Sequence, residues 1–392
     1  MKKAFCLFLT AIMMCVICSA FAETVIDLKQ PVRDVEIHYA GLNEVADGIS
    51  PTTGRVLADL EVPDGFVGMA ATGRYLPILT QIDNTGGGIG NRAPWNGSYV
   101  DIVYETPLYK SGITRMTYLY SDIIPDYTGP TRSARLNHIW IREEWGCPFA
   151  YAGRQSFPGT SVDTELSRLG LGMTANLEKL LVFDGTTGGK PWNAYCKRSQ
   201  LLKKPNNSYW MLAGLVEQVV RDDLVPANHT YKFTDELPED GDDAEIVTIQ
   251  WGDKADTARM EYDEDENLYE RYMTYYETDK NNDFGLYTQI DPVPNKTDKI
   301  RHTAPITFNN IIVQCMEITW PQLNAPLPTV VGTGNAEYFM GGKHFSGVWN
   351  RDTLKDRTVF YDMEGNEIEL QVGKTLIVMF DYTTDGRMLS YE

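Results

Sequence analysis

From about residue 245 to the C-terminus the chain reads as one short β-type run after another, with no helical stretch among them. Ile246–Trp251, Arg259–Tyr262, Leu268–Met273, Ile311–Thr319, Ala336–Met340, Phe345–Trp349 and Leu376–Phe380 are rich in β-branched and aromatic residues. Thr358–Tyr361 and Glu367–Leu370 add two shorter runs, and Gly341-Gly342 and Glu364-Gly365-Asn366 have hairpin-turn composition. Such a pattern leads to a barrel or a sandwich. The preceding part differs. Strand-like runs at Tyr75–Asp83, Val100–Glu105 and Ile113–Tyr120 are followed by helical patterns at 132–145, 162–169, 175–182 and 209–222. Between the halves lies Thr234–Asp243, acidic and punctuated by Pro and Gly. The expected fold class is therefore α+β: a mixed α/β N-terminal domain over 23–233, an acidic linker or loop over 234–245, and a mostly β, barrel- or sandwich-like domain over 246–392.

The first 22 residues carry a different signal. Lys2-Lys3, an apolar run from Ala4 to Ile17, and Ala20-Phe21-Ala22 compose a secretory leader with an A-x-A cleavage site. Bulky Ile17 directly before Cys18 argues against a lipid anchor. No later stretch approaches the roughly 20 apolar residues of a membrane span. The expectation is an extracytoplasmic chain with no stable membrane insertion once the leader is gone. Its formal net charge of -19 repels nucleic acid, which is not an expected partner. Cys147, Cys196 and Cys315 follow the leader, so at most one disulfide forms, with Cys147–Cys196 as the candidate pair.

Against this negative background, Gly129-Pro-Thr-Arg-Ser-Ala-Arg135 concentrates positive charge. Gly-Pro suits the entry to a helix, and a helix start offers free backbone N–H groups to an anion. Arg132 and Arg135 would share one helical face, three residues apart. Arg115 alternates with Ile113, Thr117 and Leu119 on one face of a strand. An arginine on an apolar face needs a counter-charge or a ligand. Asp101, Glu105 and Asp122 are candidate partners, so an internal ion network and an anion-binding cleft both stay open. The expected ligand-facing set is Arg115, Arg132, Ser133 and Arg135, with Asp101, Tyr104, Glu105 and Trp95 nearby. Trp95, in a Pro-Trp-Asn tripeptide repeated at 191–193, is a candidate sugar-stacking residue or a core anchor.

Catalytic signatures are weak. Ser133 has no G-x-S-x-G around it and no assignable histidine base. An envelope hydrolase or transferase could use Asp101 or Glu105 as acid or base with the arginines as clamps. The loop Asn84–Gly90 is Gly-rich but lacks the phosphate-loop Lys-Ser/Thr, and no H-E-x-x-H or C-x-x-C occurs. No metal or cofactor is expected.

Three ordered segments, Val100–Glu105, Gly112-Ile-Thr-Arg115 and Gly129–Arg135, resemble the N-terminal signature of the YerB-like lipoprotein family (domain of unknown function 3048). Phe308–Val313, Gly332–Ala336, Gly342–Trp349 and Tyr361–Gly365 are similar to that family's β-rich second domain. The resemblance implies an exported or membrane-anchored two-domain bacterial protein without an established activity. Tyr151 and Asn206 stand where typical members carry histidine, so chemistry that depends on those histidines is not expected of this chain. The functional expectation is an envelope protein that binds an anionic, glycan or peptide ligand, with enzyme and protein–protein adaptor as alternatives.

Overall fold

A computed structural model describes residues 23–84, 94–125, 127–129, 131–151, 153–170, 210–211, 229–252, 257–274, 284–286, 288–290 and 303–392. The leader, the Gly-rich loop over 85–93, the helix expected at 175–182, Trp192 and Cys196 lie outside them. Of the helix expected at 209–222, Trp210–Met211 is described, and it pairs as a strand with Tyr127–Thr128.

The N-terminal strands form largely where apolar alternation predicts them. β1 is Thr24–Val25, β2 Ile78–Asp83, β3 Ile102–Pro107 and β4 Thr114–Tyr120. β3 and β4 are antiparallel, and β4 also pairs antiparallel with β2. The C-terminal strands likewise follow the expected runs. Gly341 and Gly342 join Gly332–Met340 to Lys343–Arg351, with φ of 59° and 69°. Two successive positive φ angles are what a tight hairpin turn of the right twist requires.

The described residues are mostly β, so the expected α/β character of the N-terminal part is not clear in them, and the two halves share one sheet. β3 pairs in parallel with Thr375–Asp381, registering Ile102 with Thr375 and Glu105 with Val378. Thr375–Asp381 pairs in turn with Asn310–Met316. One ten-stranded sheet therefore runs from Val359–Tyr361 at one edge, through C-terminal strands, into β3, β4, β2 and Phe149–Ala150 at the other. A seven-stranded sheet combines β1 with Met388–Tyr391, Ile246–Gln250 and further strands of the second half. The described helices are few: α1 (Met69–Thr72), α2 (Leu136–Trp145) and α3 (Val162–Arg168). The chain is mostly β, and no closed barrel forms among the described residues.

Alternation along the strands distributes the core onto both faces of the large sheet. Ile82, Val103, Met116, Val313, Leu376 and Val378 pack with Val247, Ile249 and Trp251 of the seven-stranded sheet. Leu79, Ile102, Leu119, Ile312, Ile377 and Met379 face the other way, onto Leu136, Ile139 and Trp145 of α2. Trp251 and Phe380 rings meet at 5.0 Å between the sheets. Each core thus draws on residues from both ends of the chain. Cys147 and Cys315 are free, buried thiols within these cores, and Cys196 of the candidate pair lies outside the described residues.

This arrangement predicts a single thermal unfolding transition for the whole chain. Ile377→Ala removes a side chain 1% exposed at the junction and should cost about 2–5 kcal/mol. Calorimetry of wild type and variant checks both statements: two separable transitions, or a variant that shifts only part of the melt, would contradict the shared core.

Candidate functional site

The segment before α2 is extended rather than helical. Thr131 bridges Ile82 of β2, Arg132 N donates to Gln81 O at 3.0 Å, and Ala134 bridges Arg154. Sheet-like partners on both sides satisfy this backbone, so the helix begins only at Leu136. Arg135, at φ -124° and ψ 173°, is its cap residue. Arg132 and Arg135 therefore do not share a helical face, although both precede the helix. Arg135 N donates to His138 Nδ1 at 2.9 Å. That places the histidine's proton on Nε2, which lies 3.0 Å from Thr106 Oγ1. Burial and the nearby Arg135 and Arg115 hold His138 well below its ordinary pKa, so it caps the helix as a neutral ring.

Strand register brings the arginines together. Asp83, the last residue of β2, lies opposite Arg115 of β4. Arg115 Nη1 contacts Asp83 Oδ1 at 3.0 Å, and Arg132 Nη2 contacts Oδ2 at 2.7 Å. One carboxylate, fully buried, thus serves two guanidinium groups. Arg135 is held differently. Its Nε donates to Asn324 O at 3.1 Å and its Nη1 to Ala134 O at 3.1 Å. No carboxylate lies within ion-pair distance of it among the described residues, and its Nη2 has no hydrogen-bond partner there. Arg115 falls from 12.5 to about 10, first through burial, against the pull of Asp83 and with the push of Arg132 and Arg135. Arg135 is also lowered, by burial, with Tyr109 as its compensating neighbour.

The sheet divides the rest of the expected set. Arg115 points to the α2 face with Thr117 and Leu119, whereas Asp101 and Glu105 point to the opposite face with Val103. Glu105 is sealed there by Arg271 Nη1 at 2.7 Å and Nη2 at 3.0 Å, with Thr114 and Asn84 completing its bonds. Asp101 lies at the other end of β3, about 13 Å away by strand rise. It accepts from Thr52 Oγ1 at 2.9 Å and from Asp122 N at 3.1 Å. Asp122 accepts from Ser50 and Thr53 hydroxyls at 2.6 Å each. Tyr104 shares the α2 face, but its hydroxyl accepts from Trp145 Nε1 at 2.8 Å. Trp95 is 6% exposed and bridges Gly129. Ser133 stays beside Arg135, whose Nη1 lies 3.5 Å from its carbonyl. The structure thus groups Arg115, Arg132, Ser133 and Arg135, and it places Asp101, Tyr104, Glu105 and Trp95 elsewhere.

Asp83, Tyr109 and Asn324 are the site residues that the sequence reading missed. Asp83 was visible in principle, since aligning β2 antiparallel to β4 sets it against Arg115. Asn324 had no local signal, because it arrives from a hairpin nearly two hundred residues downstream.

Two measurements test these networks. Asp83→Asn strips the shared carboxylate from buried Arg115 and partly buried Arg132 and should cost about 3–5 kcal/mol in denaturant unfolding; an unchanged midpoint would contradict the shared pairing. The Asp101–Asp122 pair gives a pH prediction. Burial raises both carboxyls above 3.8, and Asp122 adds repulsion at Asp101. A folded pKa above the unfolded one means that stability is full below about 3.8 and declines as pH rises through the folded values. Asp122→Asn should flatten that decline in melting curves taken across pH; an undiminished slope would show that the pair is not its source.

Among the described residues no helix is long and apolar enough to cross a membrane. No curated protein matches the chain. A solved structure, that of the YerB protein from Bacillus subtilis, superposes with a TM-score of 0.59 at 17% identity, covering 87% of this chain and 99% of that one. Residues 68–222 match the N-terminal domain, and residues 247–377 the C-terminal domain, of the protein family of unknown function DUF3048. With both of that family's domains present in order and the YerB fold shared over most of its length, the chain belongs to the YerB-like DUF3048 family.

Proposed function

We propose that this protein is an exported binding protein of the cell envelope that captures a small anionic group, within a glycan or peptide ligand, at Arg135. The carrying observation is the imbalance at the site. Arg132 and Arg135 both act on the charge of Arg115, yet Asp83 is the carboxylate that Arg115 and Arg132 share, and Arg135 rests on carbonyl oxygens. Carbonyls satisfy its donors without neutralising its charge. A partly desolvated guanidinium with an unspent Nη2 is a prepared anion receptor, because a charge-assisted hydrogen bond there is stronger than the water contact it replaces. Arg115 and Arg132 add long-range attraction while remaining bound to Asp83. Export rests on the leader-like sequence of residues 1–22.

The experiment is a thermal-shift titration with acetate, inorganic phosphate, a uronic acid and short peptides with free C-termini. At least one of these anions should raise the melting temperature of wild type, and Arg135→Gln, which loses the bonds to Asn324 and Ala134 and melts lower for that reason, should show no rise above its own unliganded melt. Stabilisation that persists undiminished in Arg135→Gln would overturn the assignment.

A further inference from the structure

Two loop tips meet at Arg135. The turn between β3 and β4 carries Tyr109 and Lys110, and Lys110 N donates to Leu323 O at 2.8 Å. Leu323 and Asn324 form the tip of the hairpin joining Ile318–Gln322 to Ala325–Pro328, and Asn324 O accepts from Arg135 Nε. The hairpin tip is therefore pinned by its backbone from both sides, directly beside the guanidinium. Its side chain is left out. Leu323 is 73% exposed, more than any other large hydrophobic residue described. A single exposed leucine is ordinary on a protein surface. One fixed at a doubly anchored tip, next to a charged donor without a counter-ion, has a defined position relative to any anion bound there.

We infer that the anion bound at Arg135 is the carboxylate of a residue with an aliphatic side chain, as at a peptide C-terminus, and that Leu323 receives that side chain. This rests on the anion-binding reading above and specifies its ligand. Arg135 spends Nε and Nη1 on carbonyls, so what remains is the single nitrogen Nη2. One charge-assisted bond from it to one oxygen suits a singly charged carboxylate; a phosphate dianion would leave most of its oxygens without protein donors. An aliphatic group lying on Leu323 removes apolar surface from water on both partners, and Tyr109 flanks the same rim.

Binding of N-acetylglycine, N-acetylleucine, leucinamide and inorganic phosphate to wild type, Leu323→Ser and Arg135→Gln tests the inference by calorimetry. N-acetylleucine should bind wild type about ten-fold more tightly than N-acetylglycine, the gain expected from partial burial of an isobutyl group. Leu323→Ser, whose melt should match wild type because the side chain is exposed, should erase that difference while N-acetylglycine affinity stays the same. Leucinamide, lacking the carboxylate, should not bind. Equal Arg135-dependent affinity for the two acids, an undiminished leucine preference in Leu323→Ser, or phosphate binding more tightly than either acid would overturn the inference alone. Loss of Arg135 dependence for every anion would overturn the underlying anion-binding reading instead.

Discussion

The parallel pairing of β3 with Thr375–Asp381 is the contact on which the rest of the molecule depends. It joins segments roughly 270 residues apart in sequence, and parallel pairing cannot be made by a local hairpin. Because Asn310–Met316 flanks Thr375–Asp381 on its other side, the hairpin that follows Asn310–Met316 is carried across to the N-terminal strands. Its tip comes to rest on the β3–β4 turn and on Arg135. The arginine site therefore has walls from both family domains, and its geometry is a consequence of the sheet's continuity.

Charge balance on the α2 face follows from the same register. β2, β3 and β4 run side by side, so the last residue of β2 reaches the first turnward arginine of β4, and Arg132 closes on the same carboxylate from the adjoining extended segment. Burial of Arg115 favours that arrangement, since a guanidinium group out of water needs a counter-charge. The carboxylates that the sequence offers nearest, Asp101 and Glu105, cannot serve because strand alternation turns them to the other face. There Glu105 meets Arg271, a fully buried side chain from the seven-stranded sheet. A positive locus thus survives within a strongly negative chain because register gives Arg115 and Arg132 one shared carboxylate and turns the nearer ones away.

Strand positions were legible in the sequence wherever alternation between apolar and polar residues, or a Gly-Gly turn, marked them, as at Lys343–Arg351. The start of α2 was misjudged because Pro130 and two arginines resemble a helix entry, while the actual backbone partners of Thr131 and Ala134 come from Ile82 and Arg154. A residue's choice between strand edge and helix is settled there by tertiary hydrogen bonds. The joining of the halves into one sheet was invisible for a similar reason. Nothing in Ile102–Glu105 or Thr375–Val378 specifies the other, beyond each being apolar enough to be buried on two faces. Of the candidate site, the arginines were legible from charge contrast alone, whereas Asp83 required register and Asn324 required the completed fold.

Centrally, Arg135 offers its unspent Nη2 to an anion while Arg115 and Arg132 remain with Asp83. Nitrogen–proton NMR of the arginine side chains during titration with N-acetylleucine tests it most directly. The Arg135 side-chain resonance should move in a saturable way, and those of Arg115 and Arg132 should keep their positions apart from small long-range shifts. Saturable binding that leaves Arg135 in place, or that displaces Asp83 from Arg115 and Arg132, would contradict the account.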